Sequence, residues 1–82
     1  IVGIQVDPSI IDQVADAVST LNEVSWVVVT TGAYDIFAWV EVQSAEELGV
    51  FLRRTLGAIS GVRRTETFVN LAIKKSPNGV TV

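Results

Sequence analysis

Two short runs hold the side chains best suited to chemistry. The first is Thr30-Thr31-Gly32-Ala33-Tyr34-Asp35, set between the β-forming stretches Val24 to Val29 and Ile36 to Val42. A turn between two strands needs Gly and a short polar residue, which Gly32 and Asp35 supply. It does not need two threonines and a tyrosine. These add hydroxyls, an acceptor and an aromatic wall at one end of a sheet, a common way of building a small-ligand site. The second run is Gly61-Val62-Arg63-Arg64-Thr65-Glu66-Thr67. As structure it is a helix stop followed by a strand. As chemistry it sets Thr65 and Thr67 on one strand face and Arg64 and Glu66 on the other, and alternate hydroxyls are able to hold an amino-acid head group.

Catalysis is poorly supplied. The sequence has no histidine and no cysteine. That removes the imidazole base, thiolate chemistry, disulfides and His- or Cys-based metal sites. The acids and bases left are Asp35, Glu41, Glu66 and Tyr34. The paired carboxylates Glu46-Glu47 fall where a helix begins, and there they serve the helix dipole and a capping box. No Gly-rich phosphate loop is present. The expectation is a non-enzyme without cofactor or metal.

Eighty-two residues allow a single domain. Lys and Arg number six against nine Asp and Glu, a net charge of −3. That sign opposes phosphate contact, so no direct nucleic-acid binding is expected. The basic pairs Arg53-Arg54, Arg63-Arg64 and Lys74-Lys75 are scattered and suit a solvated surface. No apolar run reaches the ~20 residues that span a bilayer. With no disulfides, a cytoplasmic location is expected. The chain opens at Ile1 in a β-like run without an initiator Met, and is expected to be a piece of something longer.

The elements that must position the two runs follow from periodicity. Ile1 to Val6 reads as a strand. Asp7-Pro8 caps a helix over Ile10 to Leu21, whose apolar residues recur at helical spacing. Val24 to Thr31 and Tyr34 to Val42 read as strands. Ser44-Ala45-Glu46-Glu47 opens a second helix carrying Leu48, Phe51, Leu52, Leu56 and Ile59, which Ser60-Gly61 stops. Gly61 to Lys75 reads as a long last strand, alternating at Val69, Leu71 and Ile73. Ser76-Pro77-Asn78-Gly79 reads as a turn or a loose end.

The order β-α-β-β-α-β specifies an α+β, ferredoxin-like sandwich, an antiparallel sheet with both helices on one face. Val24, Trp26 and Val28 are assigned to one face of their strand, Val27 and Val29 to the other. The next strand carries Phe37 and Trp39 away from its other apolar side chains. Nothing in the chain covers that second face, and 49% of the residues are hydrophobic. A second copy is the economical cover, which predicts a sheet-to-sheet dimer with Phe37 and Trp39 at its interface.

Gly32-Ala33-Tyr34-Asp35, then Ser44-Ala45-Glu46-Glu47-Leu48, then Gly61-Val62-Arg63-Arg64-Thr65-Glu66-Thr67 together resemble the C-terminal effector domain of Lrp/AsnC transcription regulators, also called the RAM domain. The family pattern is a G-x-Y-D turn, a helix opening on E-x-L, and a G-V-x-R-T-x-T strand. The likeness assigns residues 1–75 to this domain and 76–82 to a tail. It implies face-to-face dimers, assembly into octamers, and an amino acid or related small molecule bound between subunits. Carried over, the ligand-binding candidates are Gly32, Ala33, Tyr34 and Asp35, with Thr65, Glu66 and Thr67 from the last strand. Gly32 would admit a carboxylate to backbone N–H groups, and Asp35 or Glu66 would accept from an ammonium. Tyr34 would either wall the pocket or turn into the core. Family members carry an N-terminal helix-turn-helix that binds DNA, and this chain lacks it. Either a parent's DNA-binding half has been removed or the module stands alone. Two further readings stay open: a small enzyme on a dimeric ferredoxin-like barrel, and a purely structural dimerisation module.

Overall fold

The computed structural model describes residues 1–76. The expected turn at 76–79 and the tail therefore lie almost wholly outside the described residues. Four strands form one antiparallel sheet: β1 (Val2–Val6), β2 (Val24–Val29), β3 (Ile36–Val40) and β4 (Val62–Thr67), in the order β2-β3-β1-β4. Helices α1 (Ile11–Ser19) and α2 (Ala45–Val50) complete the ferredoxin-like βαββαβ order. The core lies between the helices and one sheet face. Val2, Ile4 and Val6 of β1 and Ile36 and Ala38 of β3 meet Val14, Ala15 and Val18 of α1 and Phe51 and Leu56 beyond α2.

Local chemistry explains the helix starts. Asp7 accepts from the Ser9 N–H, and Pro8 opens a 3-10 turn over Pro8–Ile10 that leads into α1. The first helix is therefore shorter than the Ile10 to Leu21 its periodicity suggested. Ser44 caps α2 by accepting from the Glu47 N–H, and Glu47 reaches back to the Gln43 N–H. After Val50 the winding changes to a π-helical segment, Phe51–Leu56. At 3.6 residues per turn, side chains five apart would point about 140° away from each other. The wider winding, with its i→i+5 hydrogen bonds, brings Phe51 and Leu56 into the same core.

Three further sequence readings are corrected. First, a β-bulge between Val24 and Trp26 places Val24 opposite Val40 and Trp26 opposite Trp39. Val24 thus joins Val27 against the core, and only Trp26 and Val28 take the open face. Second, the third strand begins at Ile36, because residues 30–35 form an irregular loop rather than a tight hairpin. Third, β4 stops at Thr67 instead of running to Lys75. Its neighbour β1 begins at Val2, opposite Thr67, and pairing reaches one step further through the Phe68 N–H to the Ile1 carbonyl. Past that point β4 has no ladder partner among the described residues.

Candidate functional site

The face of the sheet away from the helices grades from apolar to polar. At one end Trp26 stands opposite Trp39, and these line a shallow open groove of about 510 Å³ with Val28, Phe37 and Phe68. The middle row runs across all four strands as Val28, Phe37, Gly3 and Glu66. Beyond it Gln5 faces Arg64. The loop 30–35 closes this polar end.

Five hydrogen bonds fix that loop. The Thr30 N–H donates to the Asp35 carbonyl at 2.9 Å, and the Thr30 hydroxyl to the Tyr34 carbonyl at 2.9 Å. Three bonds tie the loop to β1, two of them Gln5 Nε2 to the Ala33 carbonyl at 2.9 Å and the Asp35 N–H to the Ile4 carbonyl at 3.0 Å. The Val6 N–H donates to Asp35 Oδ2 at 2.9 Å. One carboxylate oxygen of Asp35 is thereby spent on the end of β1. Gly32 has φ +111°, which lets the loop reverse with bare backbone at its tip.

Tyr34 lies on the open face, where its hydroxyl donates to Glu66 Oε1. Of the two fates its position allowed, it walls the open face and leaves the core to Ile36. Its ring packs edge-on against Phe37 and Phe68, with centroids 5.8 and 6.0 Å away. Gly3 makes this possible. A Cβ on Gly3 would stand 2.9 Å from Tyr34 Cγ, so the ring rests directly on β1 backbone.

The seven candidates thus divide. Gly32, Ala33, Tyr34 and Asp35 lie in the loop at the polar end, and of these Tyr34 reaches Glu66 on the open face. Thr65 and Thr67 pair with Ile4 and Val2 on the helix side and do not share that surface. Sequence reasoning passed over Gly3 and Gln5, and did not count Arg64 or Phe68 among the ligand-binding residues. A glycine and a glutamine inside an otherwise apolar strand were the available signals, since a strand glycine often marks a close approach. Arg64 projects beside Glu66 and supplies a cation at the same end. The described residues hold no cluster of metal-ligating side chains.

These features belong to a known family. The model of the Lrp/AsnC ligand binding domain matches residues 1–80, and the chain is a member of that family. An uncharacterised HTH-type transcriptional regulator of Pyrococcus furiosus is 40% identical over 75 residues, covering 92% of this chain and 51% of the relative. One from Pyrococcus abyssi is 35% identical over 74 residues, covering 90% and 47%. The chain therefore spans about half the length of these regulators. Among solved structures, Escherichia coli AsnC superposes with a TM-score of 0.85 at 26% identity, over 92% of this chain and 51% of AsnC. The Thermus thermophilus protein TTHA0845 superposes at 0.82 with 28% identity, over 92% of this chain and 94% of that one.

Proposed function

We propose that this chain is the effector-sensing and oligomerisation domain of an Lrp/AsnC-type transcription regulator, and that it takes an amino acid or related small molecule between subunits. The carrying observation is the polar end of the open face. There Glu66 accepts from Tyr34, whose ring packs on Phe37 and Phe68, Arg64 shares the strand face with Glu66, and Gly32 bares backbone in the adjoining loop. A zwitterion needs a cation or N–H groups for its carboxylate and an anion for its ammonium. Glu66 suits the ammonium better than Asp35, because its partner Tyr34 belongs to the wall of the open face, whereas the bond from the Val6 N–H ties Asp35 to the end of β1. One open face supplies half a pocket, and a second sheet packed on Phe37 and Trp39 supplies the rest. Dimers of this kind are free to assemble further, to octamers among others.

The domain is non-catalytic in this reading and acts in the cytoplasm. DNA is contacted by a helix-turn-helix segment of the parent protein, as the names of the relatives suggest, and not by this acidic chain. A second reading, a stand-alone module, draws support from TTHA0845, which this chain matches over 94% of its length.

Titration calorimetry with a panel of the standard amino acids is the test. At least one should bind, and Glu66→Gln should weaken it by roughly tenfold, as for loss of a charge-assisted hydrogen bond. If none binds while light scattering shows an intact oligomer, sensing fails and assembly alone remains.

A further inference from the structure

We propose that the effector is an amino acid with an acidic side chain, and that Arg64 is the residue that selects it. The inference rests on the effector-sensing reading above and names the ligand class of that same site. It starts from the pairing of β1 with β4. Gln5 stands opposite Arg64 and Gly3 opposite Glu66, so the two charged residues follow one another along the open face, roughly 7 Å apart on the strand. Gln5 donates in turn to the Ala33 carbonyl, which brings the loop 30–35 to the same end of β1 as Arg64.

Arg64 is left without a partner of opposite charge. Glu66 is the acid on its own strand face, yet Oε1 of Glu66 accepts from the Tyr34 hydroxyl across the sheet. Asp35 is drawn aside by the Val6 N–H at the end of β1. The one ion pair among the described residues belongs to Arg63, whose Nη2 is 3.6 Å from Asp7 Oδ2. A second sheet closing over the open face makes an uncompensated guanidinium costly. A carboxylate held by both arms of the guanidinium removes that cost.

The charges then match one class of ligand. An amino acid with a neutral side chain brings one ammonium and one carboxylate. Glu66 takes the first, the backbone N–H groups at Gly32 take the second, and Arg64 stays idle. Aspartate or glutamate brings a second carboxylate, and Arg64 is then answered too. The aromatic wall points the same way. Tyr34 packs edge-on against Phe37 and Phe68, so the rings nearest the loop are already covered on that side. An aliphatic side chain set between Glu66 and Arg64 would meet the Tyr34 hydroxyl, the Gln5 amide and the guanidinium, and would gain little from burial there.

Calorimetry on the full chain tests this by comparing glutamate and aspartate with glutamine and asparagine, which match them in shape but lack the second charge. At least one acid should bind roughly tenfold more tightly than its amide. Arg64→Gln should erase that preference, weakening the acid by roughly tenfold and the amide by less than about twofold, with an unchanged circular dichroism spectrum. Glutarate keeps two carboxylates without the ammonium and should bind at least about tenfold more weakly than glutamate. Equal affinity for acid and amide overturns the proposal and leaves amino-acid sensing in place. So does an equal loss of both in Arg64→Gln, which would give Arg64 the carboxylate common to all amino acids. Glutarate binding as tightly as glutamate overturns the amino-acid class. If no amino acid binds, the sensing reading fails and the selectivity falls with it.

Discussion

Tyr34 shows how one residue is placed by another far along the chain. Its ring rests on Gly3 and its hydroxyl on Glu66, so the loop is coupled to β1 and β4 together. Gly3→Ala would drive a methyl against Tyr34 Cγ, 2.9 Å from the new carbon, and against Phe37 Cε1 at 3.2 Å. The ring must lift and the Glu66 bond must break. Urea unfolding should show a loss of about 1–2 kcal/mol, in the range of overpacking at a close contact. Amino-acid affinity should fall with it. The sequence displayed the residue types at this site but not their company. Tyr34 sits two residues before Ile36, and simple alternation would send it into the core. It escapes because the loop 30–35 is irregular, and three of the bonds that set that irregularity come from β1, far from the loop in sequence.

The elements were legible wherever local chemistry decided them. The Asp7-Pro8 start and the Ser44 cap stand where the sequence puts them, since each is settled within four residues. The bulge in β2, the π-helical turn and the end of β4 were not legible. Each depends on a neighbour: Val24 on Val40, Leu56 on the common core, Thr67 on the point where β1 begins. The cap at Asp7 has a pH signature. Hydrogen bonds from the Ser9 N–H and hydroxyl hold its carboxyl below the ordinary 3.8, with a smaller contribution from Arg63, whose Nη2 is 3.6 Å away. A carboxyl lowered in the folded state stabilises the fold above its unfolded pKa, and the contribution is lost as pH falls through the folded value. Asp7→Asn should therefore melt below the parent at pH 7. The two melting temperatures should converge as pH drops below about 3.8, which calorimetric scans across that range would show.

At the scale of the whole molecule, ten hydrophobic residues make a core on one side of the sheet while aromatic side chains stand uncovered on the other. That imbalance was readable from Phe37 and Trp39 alone, because a sheet with one wet face would alternate apolar with polar. Trp39→Asp should abolish dimerisation and leave a folded monomer, measured by light scattering beside circular dichroism. A variant that remains dimeric would mean that the subunits meet elsewhere. The arrangement also decides what light can report. The chain has two tryptophans and one tyrosine, and Trp26, Trp39 and Tyr34 all belong to the open face. The helix layer has neither tryptophan nor tyrosine, so emission from those residues is blind to its packing. Native fluorescence thus watches one surface only, and a shift in its colour or intensity on dilution or on adding an effector can be read, without any attached dye, as an event on that surface.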